Sequence, residues 1–209
     1  MNILIIGASR GIGHQLLKQA LSAGHVVTAM ARHFQELPHQ PERLKAILGD
    51  ILDEPKVREV MSGQEAVCLT IGVGVTIKPV TVFSQGTQNV MAAMAEHGVR
   101  RLLCITGIGA GDSKGHGGFL YDRIFQPLLL KTIYEDKDRQ EALIRASDTD
   151  WTIVRPAFLT NGPLTGHYRV ITDLGGITAG KIARADVAHF MLGELADNRY
   201  LGQTPLLTY

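Results

Sequence analysis

The sequence predicts an α/β fold built on one mainly parallel, doubly wound sheet with helices on both faces. Three observations carry this. Apolar runs of strand length alternate with stretches of helical periodicity through the first half of the chain. The run Asn2–Ile6 passes directly into Gly7-Ala8-Ser9-Arg10-Gly11-Ile12-Gly13 and then into a helical pattern. The run Ala66–Ile71 is almost wholly apolar, as a strand buried on both faces should be.

The first strand is Asn2–Ile6. The helix after it carries Leu16, Leu17, Ala20 and Leu21 on one face and closes at Gly24, a suitable C-cap. The second strand is His25–Met30. A polar loop, His33–Glu42, leads to the third, Leu44–Leu48, which Gly49-Asp50 ends. A short helix over Glu54–Met61 precedes the fourth strand, Ala66–Ile71. In the next helix, Val80–His97, the residues Val82, Gly86, Val90 and Met94 recur every four positions. The fifth strand is Arg101–Thr106. Strands joined through helices in this way cross over right-handedly into a parallel sheet.

The second half is less regular. Gly107–Gly118 holds six glycines and reads as a loop. Helical segments follow over Phe119–Lys131 and Ile133–Ala146. The sixth strand, Trp151–Arg155, stops at Pro156. The stretch Ala157–Gly180 is turn-rich with one candidate strand, Tyr168–Thr172. A helix over Arg184–Leu195 and a strand over Thr204–Thr208 complete the pattern. One domain, residues 1–209, is expected, with residues 157–180 capping the carboxyl ends of the strands.

Composition sets limits. A chain of 209 residues suits one α/β domain with a full core. Its 45% hydrophobic and 20% charged residues are ordinary for a globular protein. A net charge of +1 gives no field that would recruit nucleic acid or membrane. No apolar run approaches the roughly 20 residues of a bilayer span. The first apolar stretch is too short for a secretory leader, so a cytoplasmic protein is expected. Cys68 and Cys104 lie in apolar strand patterns and read as buried free thiols. The eight histidines show no ligand spacing, so no metal is expected.

The strand–glycine loop–helix order marks a dinucleotide site. Glycines permit tight turning and close approach to a pyrophosphate, and the helix aims free N–H groups and its positive end at the phosphates. The spacing here is GxxxGxG. Gly7, Ala8, Ser9, Arg10, Gly11, Ile12 and Gly13 are therefore expected against the cofactor. An acid at the end of the second strand usually holds the adenosine ribose of NAD. The segment Gly24–Gln35 has none; it has Arg32 instead, and Arg10 sits in the glycine loop. Two guanidinium forks suit a 2′-phosphate, which favours NADP(H); otherwise both are solvated surface charges. Asp50 is read either as a partner of the adenine amino group or as a turn cap. Ile51 is expected on the adenine face. Thr70, Gly72 and Val73 would pass under the adenosine ribose.

These residues resemble the short-chain dehydrogenase/reductase superfamily: the GASRGIG loop, Gly49-Asp50 and Thr106 all fit. The chain is most similar to its atypical NAD(P)H-binding, NmrA-like branch. Gly162-Pro-Leu-Thr-Gly166, Asp186-Val-Ala-His-Phe-Met-Leu192 and Trp151-Thr-Ile-Val-Arg-Pro156 resemble the biliverdin-IXβ reductase or flavin reductase type. The resemblance implies a Rossmann domain, usually monomeric, with the nicotinamide at the carboxyl edge of the sheet, near Pro156, Ala157 and Phe158. Most of the superfamily uses a Tyr-x-x-x-Lys pair with a strand-five Ser or Thr. Here Lys137 matches the lysine, but Ile133 stands where the tyrosine should be, and Tyr134 is turned by about 100° on a helix.

The family's tyrosine relay is thus not carried over. Lys137 is expected to bond the nicotinamide ribose, or else to pair with Glu141 on the helix surface. Thr106 bonds a substrate carbonyl or the nicotinamide amide, or is a satisfied strand-end hydroxyl. Phe158 offers a stacking face or belongs to the core. A hydride acceptor needing no positioned acid fits this set best: a small planar electron acceptor such as a flavin, quinone or bilin, whose charge delocalises while solvent supplies the proton. The alternative is a non-catalytic NADP(H)-binding redox sensor of NmrA-like type. The missing tyrosine weighs against nucleotide-sugar epimerisation.

Overall fold

A computed structural model of the chain describes residues 1–40 and 42–209; Pro41, within the loop expected over His33–Glu42, lies outside the described residues. The first half follows the expected order: β1 (Asn2–Ile6), α1 (Gly11–Ser22), β2 (Val26–Ala31), β3 (Leu44–Leu48), α2 (Glu54–Met61), β4 (Ala66–Leu69), α3 (Val82–His97) and β5 (Arg101–Ile105). A π-helical segment, Tyr121–Leu130, runs directly into α4 (Lys131–Arg145). Then come β6 (Asp150–Pro156), β7 (Phe158–Thr160), β8 (Arg169–Ile171), β9 (Lys181–Ala183), α5 (Arg184–Asp197) and β10 (Leu206–Thr208).

The main sheet has eight strands in the order β3-β2-β1-β4-β5-β6-β10-β8. Every neighbouring pair is parallel except β10 with β8. Strand order reverses between β1 and β4, which opens a crevice at their carboxyl ends. Successive side chains of β1 face opposite layers. Ile3 and Ile5 join Leu16 and Leu17 of α1 and Val187 and Met191 of α5 on one face. Leu4 and Ile6 join Val57, Val60, Val90, Met94 and Ile144 on the other. This division of apolar residues between two layers is what fixes the helices on both sides of the sheet.

Three differences from the sequence expectation stand out. The break expected between two helices near Thr132 is absent, because the wide turns ending at Leu130 pass straight into α4. Pro127 lies inside that segment, where its missing N–H and fixed ring disfavour a regular α-helix. Second, β7 and β9 form a separate two-stranded parallel sheet within and beside the turn-rich region. Strands of three residues carry no readable alternation. Third, β4 stops at Leu69, so Thr70 and Ile71 begin the loop beyond it.

Cys68 and Cys104 are buried free thiols. Burial pushes the Cys68 thiol up to about 12, so it is unreactive at neutral pH. Among the described residues, no helix is long and apolar enough to cross a membrane.

Candidate functional site

The glycine loop lies at the carboxyl end of β1, and its glycines divide two tasks. Gly7 adopts φ +95° and donates its N–H to the Met30 carbonyl at 2.9 Å. A Cβ there would stand 2.8 Å from the Thr70 backbone. A Cβ on Gly13 would overlap the Gly7 carbonyl oxygen and Thr70 Oγ1. Thr70 Oγ1 in turn donates to the Ile6 carbonyl at 3.0 Å. Gly7 and Gly13 therefore serve the close packing of α1 on the ends of β1 and β4, and Thr70 locks that junction. Ala8 and Ile12 are core residues, while Ser9 is half-buried.

Gly11, at φ +63°, has no backbone crowding it; its nearest neighbours are Arg184 Cδ and Nε, each 3.8 Å from a built Cβ. Arg10 occupies the N-cap with extended backbone, no side chain caps α1, and its first turn holds no acid. The free N–H groups at this end thus remain available to an anion, as a dinucleotide pyrophosphate requires. The residues present fit that group. Sequence reasoning missed Arg184. It starts α5, and its Nη1 bonds Asn161 Oδ1 at 2.8 Å just beyond β7. Nothing local in the sequence ties position 184 to position 11; the packing of α5 beside α1 brings them together.

On the adenosine side, Arg10 and Arg32 are both exposed, and neither forms an ion pair among the described residues. Asp50 Oδ1 accepts from the Leu52 N–H at 3.0 Å, so its carboxylate caps a turn. Ile51 is corrected from a free adenine platform to a core residue. It is 5% exposed and fills the notch at Gly86, where a Cβ would lie 2.7 Å from it. Asn89 Nδ2 also donates to its carbonyl at 3.0 Å. Gly72 is exposed and Val73 half-buried in the loop after β4.

At the other side of the crevice, α4 is held against α3 by side chains. Asp136 Oδ2 accepts from the Phe83 N–H at 2.8 Å, and Gln140 Nε2 donates to Thr87 Oγ1 at 2.9 Å. This fixes the face that carries Lys137. Its Nζ donates to the Thr106 carbonyl and lies 5.4 Å and 5.2 Å from the Phe83 and Tyr134 ring centroids. Burial lowers the Lys137 ammonium to about 8, although the Glu141 carboxylate opposes this. Lys137 is therefore not the solvated partner of Glu141. Glu141 instead pairs with the fully buried Arg155, at 3.0 Å (Nε to Oε1) and 2.5 Å (Nη2 to Oε2).

Glu141 Oε1 also accepts the Thr106 hydroxyl at 2.7 Å. Of the two readings of Thr106, this contact matches the satisfied strand-end hydroxyl rather than a partner of the substrate carbonyl. Arg155 Nη1 completes the cluster with Asp112 Oδ1 at 2.5 Å. Desolvation raises the Asp112 carboxyl, but the Arg155 hydrogen bond and charge outweigh it and hold the group below its usual range.

Tyr134 differs from expectation in direction. Its hydroxyl points to the carboxyl end of β5, 3.3 Å from a Cβ built on Gly107. Tyr134 and Lys137 are three residues apart and share a helix face, while Ile133 turns into the core with Val80 and Phe83. The Tyr134 hydroxyl bonds the Tyr121 hydroxyl at 2.8 Å, which is 3.3 Å from the Ile108 carbonyl. Each phenol has one proton. Both contacts are met only if Tyr134 donates to Tyr121 and Tyr121 to the carbonyl. Burial raises both phenols above their usual range.

Beyond this pair lies a cleft of about 850 Å³, lined by Gly117 to Tyr121, Phe125, Leu129, Leu130, Val75 and Phe158. Among the described residues, no charged side chain lines it. Pro156 and Ala157 are buried behind it, while Phe158 is 39% exposed and meets the Tyr121 ring edge-on at 4.9 Å. The cluster Phe119, Leu120, Ile124, Phe125, Leu128 and Leu129, all exposed, is a second feature sequence reasoning passed over. Its signal was there: six apolar residues within eleven positions of an amphipathic pattern with no partner element.

The fold, the uncapped helix end and the cradle of glycines define a Rossmann-type dinucleotide-binding protein. Residues 7–198 match the model of the NAD(P)H-binding family, and the chain belongs to that family. Over 99% of its length it is 26% identical to an uncharacterized sugar epimerase, YhfK, of Bacillus subtilis (strain 168), covering 97% of that protein. Among solved structures it is similar to ChuY, an anaerobillin reductase from Escherichia coli O157:H7. There the identity is 23% and the TM-score 0.82, with 100% of this chain and 97% of that chain covered. It is also similar to a short-chain dehydrogenase/reductase from Veillonella parvula DSM 2008 in complex with NADP. The identity is 17% and the TM-score 0.83, with 100% and 94% covered.

Proposed function

We propose that this protein is an NADPH-dependent reductase that passes hydride to a conjugated planar acceptor of flavin, quinone or bilin type. The observation that carries the reading is the uncharged aromatic and aliphatic cleft lined by Tyr121 and Phe158. A sugar or an alcohol needs polar partners and a local proton donor. A delocalised ring needs apolar faces and alignment. The Thr106 hydroxyl is committed within the protein, which weighs against the epimerase chemistry named for the Bacillus subtilis relative. The reductase named in the Escherichia coli structure acts on a bilin, one of the three acceptor types proposed.

In this reading the α1 N-terminus and Arg184 hold the pyrophosphate, and Arg10 and Arg32 the 2′-phosphate. Lys137 reaches the nicotinamide ribose when its ammonium turns from the Thr106 carbonyl. Phe158 and Tyr121 present rings to the acceptor. The bound cofactor supplies one hydride, two electrons with one hydrogen, and the medium supplies one proton, so a quinone leaves as a hydroquinone. The test is oxidation of NADPH, followed at the reduced-nicotinamide band, with flavins, quinones and bilins against aldehydes and nucleotide sugars as controls. Turnover confined to the first group supports the reading. Tight NADPH binding with no turnover by any acceptor replaces it with the redox-sensor reading.

A further inference from the structure

We infer that the acceptor carries an apolar tail beside its ring, in the manner of an isoprenoid quinone, and that the ridge from Phe119 to Leu129 receives that tail. The inference rests on the reductase reading above and narrows it. The ring end of the cleft is set by Tyr121 and Phe158, next to Gly107 and Lys137. The same cleft is lined by Phe119, Leu120, Phe125 and Leu129 and by Val75 from the loop after β4. Its volume of about 850 Å³ is near the top of the roughly 300–1,000 Å³ that small-molecule clefts span. A two- or three-ring head occupies only part of that.

The far end has a chemistry of its own. Phe119 is 77% exposed, Val75 70% and Leu120 61%. Large apolar side chains gathered at one place in water mark a surface that something apolar covers. The lining offers no cation, so the propionates of a bilin or the phosphate of a flavin nucleotide would enter apolar surroundings without a partner, which is costly. An uncharged hydrocarbon tail fits, and continuity of the ridge with the ring end puts both on one molecule. The redox step is unchanged by the tail: quinone, NADPH and one proton give hydroquinone and NADP+.

The experiment compares naphthoquinones with one ring head and zero, one or two isoprene units, each below its aggregation limit. Two readouts are taken: the KM in NADPH oxidation, and calorimetric binding of the oxidised quinone to the protein loaded with NADP+. The two-unit quinone should show a KM and a Kd at least about tenfold below the tail-less one, given the gain from each buried methylene. Because Phe125 and Leu129 are exposed, Phe125→Ser and Leu129→Ser should fold, and each should bring that ratio to within about threefold. Turnover with a KM independent of tail length overturns the tail and leaves the reductase reading standing. A lower KM for a bilin dicarboxylate does the same. Absence of turnover with every quinone overturns the tail; absence of turnover with quinones, flavins and bilins alike overturns both. A dimer that Leu129→Ser dissociates, with no change in the KM ratio, assigns the ridge to a second copy of the chain instead.

Discussion

The Tyr134 hydroxyl meets the Tyr121 hydroxyl at 2.8 Å, and Tyr121 continues the line to the Ile108 carbonyl at 3.3 Å. A tyrosine thus stands beside Lys137 at the carboxyl edge of the sheet, yet its hydroxyl is paired with another phenol. Tyr134→Phe should therefore keep NADPH-dependent reduction of a quinone or flavin within about threefold of the native rate, under roughly 0.7 kcal/mol. It should lose about 1 kcal/mol of stability with the hydroxyl bond. Steady-state rates and urea unfolding check the two halves. Collapse of turnover with cofactor binding intact would make Tyr134 the proton donor and point to ketone substrates instead.

Two arginines separate the halves of the cofactor. Arg32 follows β2 and is expected at the 2′-phosphate, whereas Arg184 lies over Gly11, where the pyrophosphate common to both nicotinamide dinucleotides would pass. Arg32→Ala should weaken NADPH about ten- to a hundredfold and spare NADH, the loss of a charge-assisted bond of about 1.5–3 kcal/mol. Arg184→Ala should weaken both by a similar factor. Titration calorimetry of the two variants with each cofactor decides it. Equal affinity of the native protein for NADPH and NADH would refute the role of Arg32.

Glu141 binds Arg155 through both oxygens and accepts the Thr106 hydroxyl, all buried. Glu141→Ala leaves a buried guanidinium and a hydroxyl without their partner. It should cost about 3–5 kcal/mol of stability, the scale for breaking a buried ion pair on one side. Chemical denaturation of the variant checks this. A loss under about 1 kcal/mol would show that Asp112 alone satisfies Arg155.

Lys137 gives the protein a pH dependence of known sign. Burial holds its ammonium at about 8 in the folded chain against 10.5 when free. Between these values the unfolded chain carries a proton that the folded chain lacks, so stability rises with pH across the window and is withheld below it. Lys137→Met should remove that rise, stabilising the protein below pH 8 by up to roughly 3 kcal/mol. Denaturant unfolding from pH 7 to 10 compares the two. Parallel curves would mean that the amine is hydrated in the native state.

The first half of the fold was legible because each strand there is four to six residues long and each helix shows one apolar face. The glycine loop was legible because its strand–glycine–helix order is written in consecutive residues. What failed or stayed open depended on contacts between distant residues. Ile51 goes to the core because Gly86 leaves a notch for it, and Thr106 loses its hydroxyl to Glu141 from α4. Tyr134 points to Gly107 because Ile133 is drawn to Phe83. Arg184 reaches Gly11 only once α5 lies beside α1. None of these pairings leaves a trace in spacing.

Hydride transfer itself is the most direct test. Protein loaded with one equivalent of NADPH is mixed anaerobically with an excess of naphthoquinone, and absorbance is followed through a single turnover. The reduced-nicotinamide band should disappear with formation of one hydroquinone per cofactor, and deuterium at the transferred C4 position should slow it. A native complex that keeps its NADPH reduced in the presence of quinone, flavin and bilin alike would contradict the assignment as a reductase.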